Sequence, residues 1–230
     1  MPQRFSNSLF SQAALVQAEE LIPRQQRANM RFKRSCDFYE YYTLKHPFLS
    51  EFHSKAEYYN SGLLEGNSAV SYFVPQPFQM KIRGKWYQPD CYFLAAGRHI
   101  VQELKPKGEF PDDKRIPLEQ FFALHNMEFQ VVNNDDILAR AMEAENWIEI
   151  VHTLYASRSF DTQHIEPKVA AMVAESGKEG CILAEIVDPG DRERTFYHEL
   201  ALFRLLHRGL LKADLTSAPL DYNTEFIKCT

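Results

Sequence analysis

No apolar run in this 230-residue chain approaches the ~18 residues that a membrane span needs; the longest, around Leu200–Leu206, is broken by Arg204. The stretch Met1–Leu21 is polar with short apolar pieces, unlike a secretory signal. Cysteine is sparse and scattered. Cys36, Cys91, Cys181 and Cys229 form no Cys-x-x-Cys pair, which argues against a zinc ribbon and for reduced thiols in a cytoplasm. The eight histidines show no His-x-x-x-His or His-Glu-x-x-His spacing, so a zinc hydrolase is not indicated. There is no G-x-x-x-x-G-K-[ST] phosphate loop, no G-x-S-x-G elbow, no internal repeat and no low-complexity tract.

What remains is ordinary globular material: 45% hydrophobic and 25% charged residues. A chain of this length buries roughly 70–75% of its extended surface and needs no staples. Its net charge of −5 is unevenly spread. Residues 1–34 hold six basic and two acidic side chains, and Arg24, Arg27, Arg31, Lys33 and Arg34 form a cluster suited to contacting phosphates. The plain alternative is a solvated N-terminal segment. Residues 160–230 are net acidic, with eight basic and twelve acidic side chains.

Periodicity predicts a short helix over Ser8–Leu21 and another over Leu49–Leu64, with Gly62 and Gly66 flanking its end. Strand signals follow at Val70–Val74, Phe78–Ile82, Trp86–Leu94 and His99–Lys105, with turns at Gly84-Lys85 and Ala95–Arg98. A helix is expected over Pro117–Asn126, a strand over Met127–Val132, a loop at Asn133–Asp136 and a helix around Trp147–Tyr155. Both tryptophans read as core or sheet-packing residues. The expected class is α/β, a mixed sheet flanked by helices over residues 37–157, preceded by a basic arm at 1–36. Beyond Ser157 the pattern changes. Helices are expected over Gln163–Glu175, from a Ser176/Glu179 capping box through Val187, and after Asp191, then a hairpin of Leu210–Leu215 with Thr224–Cys229. Three helices and a hairpin are the winged-helix order, which defines a second domain at 158–230.

The chemistry concentrates in Tyr87-Gln88-Pro89-Asp90 and, twelve residues on, Glu103-Leu104-Lys105. Side chains alternate along a strand, so Glu103 and Lys105 share a face. A hairpin would bring Asp90 beside Glu103. Two carboxylates and a lysine at a sheet edge are what phosphodiester hydrolysis requires: oxygen ligands for Mg²⁺ or Mn²⁺, and a cation to orient water and offset developing charge. Glu57, on the preceding helix, adds a third carboxylate, with Glu51 and Glu65 as rivals on the same segment. A Glu-x-Lys pair on a solvated strand face is the plain alternative.

Taken together, Glu57, Ser71–Phe78, Tyr87–Asp90, Val101–Pro106, Phe129–Val132 with Asp135-Asp136-Ile137, and Leu206–Leu211 with Asp214-Leu215 and Pro219-Leu220 resemble the TnsA endonuclease family over most of residues 50–230. The resemblance implies a restriction-endonuclease-like PD-(D/E)xK core and a winged-helix-like C-terminal domain. It implies a transposase subunit that nicks the 5′ ends of a transposon. Glu57, Asp90 and Glu103 would hold the metal, and Lys105 would be the catalytic lysine. The implied partners are double-stranded DNA at transposon ends, a DDE-type transposase subunit (TnsB-like), and an AAA+ regulator (TnsC-like) that docks on the C-terminal domain. The implied location is the bacterial cytoplasm, at the nucleoid. The best-known member has glutamine where Glu103 stands. Because a DNA-reading winged helix should be basic and residues 160–230 are acidic, this domain is expected to dock protein. Two alternatives stand beside this reading: a stand-alone restriction or repair nuclease with the same core, and a non-catalytic DNA- or protein-binding adaptor.

Overall fold

The computed structural model describes residues 11–177, 180–188 and 190–229. Within them the chain is mixed α/β, with eight α-helices and several sheets. In order these are β1 (Val16–Ala18), α1 (Met30–Lys33), β2 (Tyr39–Tyr42), β3 (Leu49–Phe52), α2 (Lys55–Gly66), β4 (Val70–Pro75), β5 (Met80–Ile82), β6 (Lys85–Tyr87), β7 (Cys91–Ala95) and β8 (Arg98–Lys105). There follow α3 (Asp112–Leu124), β9 (Met127–Asn133), α4 (Asn134–Leu138), α5 (Ala141–Ala156), α6 (Glu166–Glu175), β10 (Cys181–Ile182), α7 (Leu183–Ile186), α8 (Arg192–His207), β11 (Leu211–Ala213) and β12 (Glu225–Lys228). No helix among the described residues is long and apolar enough to cross a membrane.

The chain forms two compact units. The first comprises residues 1–41, 48–58 and 69–139; the second comprises 42–47, 59–68 and 140–230. Thus α5, placed by the sequence at the end of the first domain, clusters with the second unit.

In the first unit a four-stranded sheet runs β4-β7-β8-β9. The pairs β4–β7 and β7–β8 are antiparallel, and β8–β9 is parallel, so the sheet is mixed. Two tight turns fix its registers and those of its neighbour. Ala96 and Gly97 close the β7–β8 hairpin at φ 48° and 78°, and Arg83 and Gly84 close β5–β6 at φ 51° and 78°. Two successive positive φ values match the strand twist of a two-residue hairpin. A three-stranded sheet, β1-β5-β6, buries Val16, Met80 and Ile82 against Val74, Phe78, Leu118 and Phe122.

Several elements differ from the sequence-based expectation. The helix expected over Ser8–Leu21 lies partly outside the described residues. Its described part is one 3-10 turn, Ala13–Leu15, followed by β1, because Val16 and Ala18 pair with Ile82 and Met80. The helix expected from Leu49 begins at Lys55; Leu49–Phe52 is instead strand β3, paired with β2. The single strand expected over Trp86–Leu94 is two strands in different sheets, parted at Pro89, which has no N–H to continue a ladder. Trp86 is 66% exposed, not sheet-packed, whereas Trp147 is buried as expected. Helix α3 starts five residues before Pro117, carried by acidic residues in its first turn and by Arg115, which pairs with Asp112 and Glu119. The loop expected at Asn133–Asp136 is helical because the Asn133 side chain caps Asp135 N–H.

The second unit gathers α5, α6, α7 and α8 with the sheet β10-β12-β11 around Val169, Val173, Leu200, Leu202 and Phe226. Asp191 caps α8, and Gly209 ends it at φ 71°. The helix expected from Ser176 to Val187 is a single turn, α7, because Cys181 and Ile182 instead pair with β12; Glu179 of the expected capping box lies outside the described residues. Asn146, buried on α5, donates to the carbonyls of Leu215 and Ala218 and accepts from Leu220 N–H, which stitches the loop between β11 and β12 to the helices.

Gly62 lies inside α2 rather than at its end, and a Cβ there would stand 2.6 Å from the carbonyl oxygen of Ala144 and 2.9 Å from Ile148 Cγ1. On a solvated helix Gly→Ala gains up to about 1 kcal/mol. Here the overpacking should reverse the sign, and Gly62→Ala should destabilise by about 1–3 kcal/mol in urea denaturation. A stabilised variant would refute the close approach.

Candidate active site

Strand β8 is central, with β7 on one side and β9 on the other, and residues Ile100–Leu104 are all buried. The polar side chains it carries inward are therefore matched individually. Gln102 Nε2 donates to Gln130 Oε1 of the neighbouring strand at 3.3 Å. Glu103, 2% exposed, accepts from the Tyr87 hydroxyl at 2.6 Å and pairs with Lys105 Nζ at 2.9 Å.

Asp90 precedes β7 and continues the ladder. Its N–H donates to Gln102 O, and its carbonyl accepts from Gln76 N–H. The carboxylate bridges back to β8: Oδ2 accepts from Leu104 N–H at 2.7 Å and stands 3.6 Å from Lys105 Nζ. Lys105 thus bridges Asp90 and Glu103 with one positive charge.

Glu57 sits in the first turn of α2. Ser54-Lys55-Ala56-Glu57 makes a capping-box-like start: Glu57 N–H donates to Ser54 Oγ, and the Glu57 carboxylate accepts from Ser54 Oγ and from His53 N–H. Gln76 Nε2 also donates to it. Glu57, Asp90 and Lys105 line one cleft of about 630 Å³ in the first unit. The two rival glutamates are committed elsewhere. Glu51, on β3, accepts from Ala28 N–H at 3.1 Å and pairs with Lys33 at 2.7 Å. Glu65, in the second unit, accepts from Leu44 N–H and Lys45 N–H at 2.8 Å and meets His207 Nε2 at 2.7 Å.

The residues of the basic cluster have different surroundings. Arg27 lines the cleft, and the backbone N–H groups of Arg24 and Gln26 bind the carbonyls of Pro77 and Gln76. Lys33 is bound to Glu51 and stacks over Phe38 at 4.3 Å, so its charge is already matched. Arg31 and Arg34 are exposed.

Three cleft residues carry no role in the sequence reading. His53 Nε2, Gln76 Oε1 and Asn134 Oδ1 are buried atoms without a hydrogen-bond partner among the described residues, and all three residues line the cleft with Glu57 and Asp90. Buried unpaired polar atoms are costly, and water or a ligand in the cleft can complete their bonding. Gln76, 2% exposed at φ 41° between Pro75 and Pro77, is held in strained backbone beside Glu57. The run Pro-Gln-Pro and the S-x-x-E at residue 54 are the sequence signals for these features.

Burial, and then the charge of Asp90, raise the Glu57 carboxyl to about 8 and that of Glu103 to about 7. Burial also raises Asp90. Burial alone would lower Lys105, but Asp90 and Glu103 outweigh it and hold the ammonium above its usual range. Such a set is short of positive charge. Its oxygen donors suit a hard divalent cation, and the unpaired Gln76 and Asn134 oxygens extend the same chemistry. Among the described residues no group of three or more His, Cys, Asp and Glu side chains is placed to hold a metal ion.

No model of a known family matches this chain, and no curated protein matches it.

Both glutamates titrate near 4.5 when free, so the folded state holds extra protons between that pH and about 7–8. Stability should therefore fall as pH rises from about 5 to 8.5. Thermal melts should show Glu103→Gln flattening that slope, by on the order of 2 kcal/mol at the alkaline end. An unchanged slope would show that Glu103 is ionised throughout.

Proposed function

We propose that the first unit is a metal-dependent DNA endonuclease of the restriction-endonuclease-like class, and that the chain is the 5′-end-nicking subunit of a TnsA-like heteromeric transposase. The observation that carries this reading is Lys105 Nζ, 2.9 Å from the buried Glu103 and 3.6 Å from Asp90, where Lys105, Asp90 and Glu57 line one cleft. Mg²⁺ or Mn²⁺, held by Asp90 and Glu103 with help from Glu57, would supply Lewis acidity toward the phosphodiester and toward water. Lys105 is the group that orients the attacking water and offsets charge building on the phosphate. Tyr87 fixes the Glu103 carboxylate through its 2.6 Å hydrogen bond. Pro89 ends β6 and lets Asp90 turn back onto Leu104 N–H. In the second unit, the order α6, α7, α8, β11, β12 supports a winged-helix-like module, here with β10 as an added strand. Its acidic balance supports docking to protein, in keeping with a TnsC-like AAA+ regulator, while a TnsB-like DDE transposase would cut the other strand.

The test is nicking of a supercoiled plasmid, or of labelled duplex carrying transposon ends with the partner transposase, in Mg²⁺ and in Mn²⁺. Asp90→Ala, Glu103→Ala and Lys105→Ala should each lower the rate at least about 100-fold. Folded variants that retain wild-type nicking would refute the assignment.

A further inference from the structure

From Gly66 to Pro89 the chain has no acidic residue, and its only charged side chains are Lys81, Arg83 and Lys85. The fold collects these three on the β5–β6 hairpin. Strand alternation buries Met80 and Ile82 and turns Lys81 outward, directly opposite Trp86 in the register. Lys81 Nζ lies 4.5 Å from the centre of the Trp86 ring, which is 66% exposed. Arg83 and Lys85, at and beside the turn, are exposed. Among the described residues none of the three cations is in an ion pair, whereas Lys33, the half-buried member of the N-terminal basic cluster, is held by Glu51.

The hairpin is stiff and anchored. Its two-residue turn takes positive φ at both positions, Arg83 N–H donates to Leu15 O, and β5 is paired on both sides, with β1 and β6. It is also continuous with the cleft. Gln79 and Gln88, at its base, line both the cleft of Asp90 and Lys105 and a second depression of about 350 Å³ floored by Trp86 and Tyr87. Asp90 lies four residues after Trp86, a reach of at most about 14 Å, or roughly four base pairs along a duplex.

We infer that the β5–β6 hairpin is a duplex-binding element: Lys81, Arg83 and Lys85 bind backbone phosphates, and Trp86 packs against the sugar or base edge beside them, so that the neighbouring strand is led into the cleft. The inference rests on the nuclease reading for its substrate and goes beyond it in assigning the grip to this hairpin, not to residues 24–34. Anchored cations next to an exposed aromatic ring fit a phosphate backbone; a solubilising charged edge would not need the ring or the shared lining.

The experiment is fluorescence anisotropy with a 30-base-pair duplex of arbitrary sequence, without divalent metal, across a salt series. Wild type is compared with Lys81→Ala/Arg83→Ala/Lys85→Ala, with Trp86→Phe, and with Lys212→Ala as a control. Each phosphate contact contributes about 0.9 to the slope of log affinity against log salt, so the triple variant should lose about 2–3 of slope and at least tenfold in affinity. The control should match wild type. Trp86 emission should change on binding, and Trp86→Phe should abolish that change, since Trp147 is buried. A triple variant with wild-type affinity and slope, or wild-type protein that ignores duplex at low salt, overturns the inference. Nicking assayed in parallel separates the two readings. If the hairpin governs binding, the triple variant should raise KM and spare kcat. Lost duplex binding in the triple variant, together with wild-type protein that never nicks, would uphold the hairpin and remove the nuclease.

Discussion

A strand buried on both sides must answer for each polar group that it carries, and β8 carries Gln102, Glu103 and, at its end, Lys105. The answers organise the first unit around it. Gln102 is matched by Gln130 at the same level of β9, Glu103 by Tyr87 and Lys105, and the Leu104 N–H by the Asp90 carboxylate. That last bond is made just before β7 begins, so the loop carrying Pro89 and Asp90 is tied to the sheet by the side chain that chemistry would use. Structural satisfaction and the candidate site are here the same set of bonds.

The acidic groups of the molecule divide by how they are balanced. Glu51 has a backbone amide and a lysine that reaches Glu40 only at 4.0 Å, and Glu65 has two backbone amides and a histidine. Glu57, Asp90 and Glu103 instead share one lysine, and the charge of Asp90 raises both glutamates. Local balance marks the first two as fold-building carboxylates. Shared balance leaves the other three with unspent affinity for a cation.

Much of this was legible in the chain. Alternation at His99–Lys105 put Glu103 and Lys105 on one face, and Ala96-Gly97 read as a turn, so the Asp90–Glu103–Lys105 grouping followed from two strands and a hairpin. Glu57 was legible only as a helix acid; the S-x-x-E cap that fixes its orientation lies in the same four letters. Elements failed where tertiary pairing overrode local periodicity: Val16–Ala18 gave up a helix to pair with β5, and Leu49–Phe52 gave up one to pair with β2. Trp86 was misread because a large aromatic is ordinarily packed, and nothing in its immediate neighbours announces an edge strand. The second unit's assembly from residues 42–47, 59–68 and 140–230 has no sequence signature, since long-range clustering leaves no local periodicity.

Gln76 and Arg83 share a left-handed backbone but not its consequences. Arg83 sits in an open turn, where asparagine or glycine would be accepted with little change in shape. Gln76 faces two independent filters. Flanking prolines and positive φ exclude β-branched side chains, and the carboxylate of Glu57 excludes anything that cannot donate a hydrogen bond to it. Few amino acids pass both, so position 76 should be nearly immutable in a library selected for an intact cleft, while position 83 drifts.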